Sequence, residues 1–164
     1  MKTIGLFIIL LTGMMWGCRD VSKHDNTFKM ESFVLNVLKN EDVGLEKKLV
    51  LFIAEGMCSE CINKEFMNLK EQKDMQDHLV VIGMFSNKRL FMACVNSLNL
   101  KNKAVFYDSK LLASQAGIPQ NPIYMVYDRK QGIVSDVFTP QPCRIPLTLE
   151  YFKNIKNSLV RTNE

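Results

Sequence analysis

LVLFIAEGMCSEC, residues Leu49 to Cys61, decides the fold. Its first six residues, Leu49 to Ala54, form an unbroken apolar run of strand length, the pattern of a strand covered on both faces. The run stops at Glu55-Gly56, and Cys58 and Cys61 follow with two residues between them. Beyond the sulfurs, Ile62, Phe66 and Leu69 share one helical face while Asn63, Lys64, Glu65 and Lys70 fall elsewhere, so a helix is predicted there. Leu79–Phe85 (LVVIGMF) repeats the buried-strand pattern. Strand, helix and strand in succession predict a βαβ unit with parallel strands.

Outward from this unit the chain keeps alternating. From Phe28, the residues Met30, Phe33, Val34, Val37 and Leu38 recur at spacings of three and four and predict an amphipathic helix. Asn87–Leu98 reads as helical, with Cys94 among Leu90, Phe91 and Val95, where a cysteine behaves as a small apolar residue. Ala104–Tyr107 reads as a short strand and Ser109–Ala116 as a short helix. PIYMVYD (Pro122–Asp128) and GIVSDVF (Gly132–Phe138) flank the polar DRKQG and predict a hairpin. Phe152, Ile155 and Leu159 mark a last helix. The order predicts an α/β fold, a mixed β-sheet sandwiched by helices with an extra N-terminal helix.

The chain of 164 residues opens with MKTIGLFIILLTGMMWGC: one lysine, an apolar stretch from Ile4 to Leu11, then small and mixed residues ending at Cys18. That is the layout of a signal peptide, with an apolar stretch shorter than the roughly 20 residues that span a bilayer. Met15–Cys18 resembles a bacterial lipobox, which implies lipidation of Cys18 and stable anchoring by several acyl chains. The expected division is 1–17 signal peptide, 18–27 tether and 28–164 folded domain, placed in the cell envelope on a membrane surface. A net charge of +4, with no basic block and no interleaving of basic and aromatic residues, argues against nucleic acid as a partner.

Two stretches together, LVLFIAEGMCSEC and VFYDSKLLASQAGIPQNPIYMVYDRKQGIV, resemble the thioredoxin-like superfamily, in particular its exported, membrane-tethered bacterial thiol-disulfide oxidoreductases. The resemblance covers most of Leu49–Leu159. It implies that Cys58 and Cys61 exchange electrons with protein disulfides, with no cofactor, and that a separate electron donor, unidentified here, recycles them. It also implies that Pro122 is the family's cis-proline and that the backbone of Asn121 pairs with an incoming polypeptide. The chain departs from the family at three places. Met57 stands where tryptophan is common, Asn121 where threonine or valine is common, and Leu51 near where thioredoxin has a buried acid.

The residues themselves support the same chemistry. A Cys58 that caps the following helix sits at the positive end of its macrodipole, beside N–H groups without intrahelical partners, and thiolate is favoured there. Cys61, one turn in, is close enough to close a disulfide. Glu55 and Glu60 would repel a thiolate and oppose the helix effect, so a relatively reducing pair is expected. Other readings stay open. A zinc site lacks its remaining ligands, since His24 and His78 are remote in sequence. A purely structural disulfide would close too small a loop to stabilise much. A peroxidase would want threonine or serine at position 55, and a Cys–His pair would need His78 nearby. The rival from another class is a tethered accessory or binding protein whose cysteine pair is not catalytic. Cys94 and Cys143 have no assignable role.

Overall fold

The computed structural model describes residues 23–41, 47–96, 98, 104–108, 119–141 and 144–160. The expected signal peptide, the lipidation candidate Cys18, the helix expected over 109–116 and Cys143 lie outside the described residues. Five strands form one sheet: β1 (Lys47–Ala54), β2 (Leu79–Phe85), β3 (Ala104–Asp108), β4 (Ile123–Asp128) and β5 (Ile133–Phe138). Five helices accompany them: α1 (Lys23–Lys39), α2 (Ser59–Glu71), the single turn α3 (Lys73–Gln76), α4 (Lys88–Asn96) and α5 (Ile145–Val160).

The strand order is β3-β2-β1-β4-β5. β1, β2 and β3 are parallel, whereas β4 runs antiparallel to both β1 and β5. A βαβ unit followed by an antiparallel ββα unit is the thioredoxin-like arrangement, and it places β1 at the centre. That is why β1 and β2 needed unbroken apolar runs: all of Leu49–Ala54 and all of Leu79–Phe85 are buried.

Residue alternation shows which helix covers which face. Phe52 points to one side, where Phe33 of α1 meets both it and Tyr107 edge-on, at 5.9 and 5.0 Å between ring centroids. Leu51 points to the other side, next to its register partner Tyr124, and Tyr124 meets Phe152 of α5 edge-on at 5.1 Å. Gly83 also lies on that second side, where a Cβ would run into the ring of Phe91, so α4 can lie close on β2 only because the residue beneath it is glycine. The sheet is thus covered by α2, α4 and α5 on one face and by α1 on the other. Among the described helices, the extra N-terminal helix α1 is the one that covers the Phe52 side of the sheet.

α1 begins at Lys23, inside the segment expected to be tether. The residues before Phe28 are almost all polar and carry no apolar periodicity, so the stripe becomes readable only after the helix has started. Among the described residues no helix is long and apolar enough to cross a membrane.

The hairpin β4–β5 has one irregularity. Tyr124 pairs with Phe138 and Val126 with Ser135, so β5 carries an extra residue between these rungs. Asp136 there has φ +51°, an uncommon region for a residue with a side chain and one that aspartate tolerates better than most. Tyr151 of α5 donates its hydroxyl to the Asp136 carbonyl at 2.8 Å, and its ring stacks on Phe138 at 4.7 Å.

Candidate redox site

The apolar run ends at a tight turn. Met57 N–H donates to the Ala54 carbonyl at 3.2 Å, and Gly56 has φ +90°, as the third residue of a type II turn requires. Side chains at this φ are strained, so the glycine is a condition for turning from β1 into α2. Met57 is buried and folds back over the turn, its Sδ accepting the Ala54 N–H at 3.1 Å.

Cys58 is the N-cap of α2. Its Sγ accepts the backbone N–H of Cys61 at 3.2 Å, so the sulfur sits on one of the donors that the first helical turn leaves without a partner. Cys58 is exposed and Cys61 is buried, with 6% of its surface accessible. The two form a disulfide, with Cα atoms 5.2 Å apart. An exposed sulfur held at a helix N-terminus and a shielded one a turn deeper is the division of labour expected of an attacking and a resolving cysteine.

The proline loop lies across from these sulfurs. Cys58 N–H donates to the Gln120 carbonyl at 3.3 Å, which brings Asn121, half-buried, and Pro122, buried, against the turn. The expected cis bond is not there: among the described residues every peptide bond is trans, the one before Pro122 included. Trans is the lower-energy form of an X–Pro bond by about 0.5–1 kcal/mol. The loop reaches the sulfur turn through the Gln120 carbonyl without needing the other isomer.

Neither acidic neighbour is left facing the sulfur alone. Glu55 is exposed, and its Oε2 accepts the Ser86 N–H at 2.6 Å, tying the sulfur turn to the β2–α4 turn. Hydrogen bonding to Ser86 holds the Glu55 carboxyl below the usual range. Glu60 pairs with Lys64 one helical turn on, at 3.6 Å, in an exposed setting. Residue type and spacing made these two carboxylates candidate tuners of the thiolate; the i,i+4 spacing of Glu60 and Lys64 was there to be read, whereas the Ser86 N–H that meets Glu55 arrives from 31 residues away.

Glu65 corrects the sequence reading. Expected to point away from the core, it is 6% accessible and lies on the face of α2 that carries Cys61, Ile62, Phe66 and Leu69. The Asn68 side-chain amide donates to its Oε2 at 3.5 Å, and the hydroxyls of Tyr124 on β4 and Thr148 on α5 also act on the carboxyl. The Tyr124 and Thr148 hydroxyls are buried with no partner at hydrogen-bond distance, yet both are near enough to Glu65 to act on it electrostatically. Burial pushes the Glu65 carboxyl up, and the surrounding hydrogen-bonding groups offset only part of that. Its position four residues after Cys61 and three after Ile62 could have revealed this, because those offsets share one face. The charged side chain outweighed the offset in the sequence reading. His78 is half-buried at the start of β2, and its backbone carbonyl accepts the Leu49 N–H at 2.9 Å, at the opposite end of β1 from the sulfurs. A Cys–His pair is therefore ruled out by position.

The sequence matches no known protein-family model and no curated protein. Solved structures give partial likenesses. A secreted disulfide oxidoreductase of Mycobacterium tuberculosis, described as homologous to E. coli DsbE, aligns with 59% of this chain and 71% of its own, at 14% identity and a TM-score of 0.41. A proposed thioredoxin from Neisseria meningitidis aligns over 73% and 81%, at 18% identity and 0.44. A proposed thiol-disulfide oxidoreductase from Bacteroides vulgatus aligns over 71% and 78%, at 19% identity and 0.45.

Proposed function

We propose that the protein is a thiol-disulfide oxidoreductase acting on protein disulfides through Cys58 and Cys61. The observation that carries this reading is the exposed Cys58 sulfur at the start of α2, bonded to buried Cys61 and faced by the loop before Pro122. In the reducing direction, the Cys58 thiolate attacks one sulfur of a substrate disulfide. That S–S bond breaks, a mixed disulfide forms, and the departing substrate thiolate takes a proton. Cys61 then loses its proton and attacks the Cys58 sulfur, which releases the second substrate thiol and leaves the Cys58–Cys61 disulfide. The substrate gains two electrons and two protons, and a dithiol donor must later return the same to the protein.

Cys61 is shielded from water, so its proton needs an acceptor inside the fold. Glu65 stands one turn along on the same buried face, at the offset that sets Cβ atoms about 5–6 Å apart, and its carboxylate would take that proton. The Asn121 backbone receives the substrate polypeptide. Glu55 and Glu60 weight the pair toward the reducing side, although their bonds to Ser86 and Lys64 draw charge away from the sulfur. Export and anchoring through a lipid on Cys18 belong to the same reading, and the intact mass of the mature protein tests them.

The experiment is to replace Cys61 with alanine and look for partners captured on Cys58. A set of adducts that disappears with reductant, and also when Cys58 is replaced by serine, supports the enzyme. No adducts, together with a wild type that neither reduces insulin nor cycles in glutathione buffers, would leave an accessory protein with a non-catalytic disulfide.

A further inference from the structure

Met57 does more than fill the turn. Leu49 and Glu55 send their N–H groups toward β2, to the carbonyls of His78 and Met84, so the even-numbered residues of β1 turn theirs toward β4. The β1–β4 register runs from Lys47↔Asp128 to Phe52↔Ile123, and two residues further on it sets Ala54 opposite Asn121. Ala54 and Asn121 are thus the next rung, one that exchanges both N–H···O bonds in a regular antiparallel ladder. That rung is not made. Met57 takes both peptide groups of Ala54: its N–H donates to the Ala54 carbonyl at 3.2 Å, and its Sδ accepts the Ala54 N–H at 3.1 Å. Among the described residues no backbone hydrogen bond uses the N–H or C=O of Asn121.

We propose that Met57 is a positioning residue that ends the β1–β4 ladder one rung early and so keeps the Asn121 peptide groups open for an extended polypeptide carrying the disulfide. The proposal rests on the oxidoreductase reading for its substrate half. The thioether is a weak acceptor, and the Asn121 carbonyl across the strand is a stronger one. What holds Sδ in place is the burial of the Met57 side chain in the core cluster beneath the turn. An aliphatic side chain of the same shape fills that space but cannot accept, and it frees the Ala54 N–H to recruit the Asn121 carbonyl. The substrate strand then loses that acceptor.

The test replaces Met57 with norleucine, and in parallel with leucine, both close enough in volume to avoid overpacking the site. A through-hydrogen-bond NMR coupling between the Ala54 nitrogen and the Asn121 carbonyl carbon is expected in both variants and not in the wild type. KM for insulin should rise roughly two- to tenfold, the worth of one backbone hydrogen bond, while KM for the small disulfide DTNB, which has no backbone to pair, moves far less. The proposal is overturned if the coupling fails to form in either variant, or if KM for insulin and for DTNB change alike. A wild type that turns over neither substrate sinks the oxidoreductase reading and the substrate half with it, while the NMR coupling still decides the capping half.

Discussion

Two glutamates bracket the sulfur pair, Glu55 three residues before Cys58 and Glu65 four after Cys61, and their surroundings drive them in opposite directions. Glu55 lies on the exposed rim, where hydrogen bonding to Ser86 favours its charged form. Glu65 lies inside, between α2, β4 and α5, where burial favours its neutral form. One residue type is thus held toward its charged form at the rim of the site and toward its neutral form behind it. The difference comes from solvent access and from which backbone N–H groups are within reach.

Three substitutions separate the interior from the rim. Phe66→Ala, next to Glu65 on the buried face, should cost about 3–5 kcal/mol of unfolding free energy in a denaturant titration, because its site is sealed beneath the helix. A loss within the range of an ordinary surface change would mean that α2 packs more loosely than its burial indicates.

Glu65→Gln should change the pH dependence more than the fold. A carboxyl raised in the native state binds more protons there than in the unfolded chain, so its stabilising contribution is complete below the ordinary carboxyl value. It is lost as pH rises through the raised native value. Thermal melts of the wild type should therefore decline across that interval, and those of the variant should stay flat. The variant should also slow the release of the mixed disulfide more than its formation, measured by single-turnover quench.

Glu55→Gln should have the smallest effect, with the opposite sign. A carboxyl lowered in the native state contributes stability above its ordinary value, and that contribution is lost as pH falls through the lowered one. The variant should remove part of the acid-side loss in melting temperature and leave the neutral side unchanged. An equal response of the two glutamates to pH would erase the contrast between rim and interior.

How much of this was legible follows from what each feature depends on. β1, β2 and the β4–β5 hairpin were readable because continuous apolar runs and a polar turn are local signals, and the observed strands fall within two residues of the expected ones. Cys58 as cap and Cys61 as its shielded partner were readable from the strand-to-helix junction. The Glu65 cluster was not, since it needs β4 and α5 to arrive from more than 50 residues away. The trans bond before Pro122 and the ladder cut short by Met57 depend on how two strands end side by side, a relation that no stretch of one strand contains.

The extra residue in β5 bears on the life of the chain outside its reaction. β5 is a margin of the sheet, and a straight, regular margin offers its free peptide groups to any other chain that reaches it. At Asp136 the backbone turns out of line and its carbonyl is already held by Tyr151. A second molecule trying to zip alongside would lose register halfway. For the proposed oxidoreductase, whose substrates would be disulfide-bearing chains, the flank would in this way be closed to strand pairing while the sulfurs stay open.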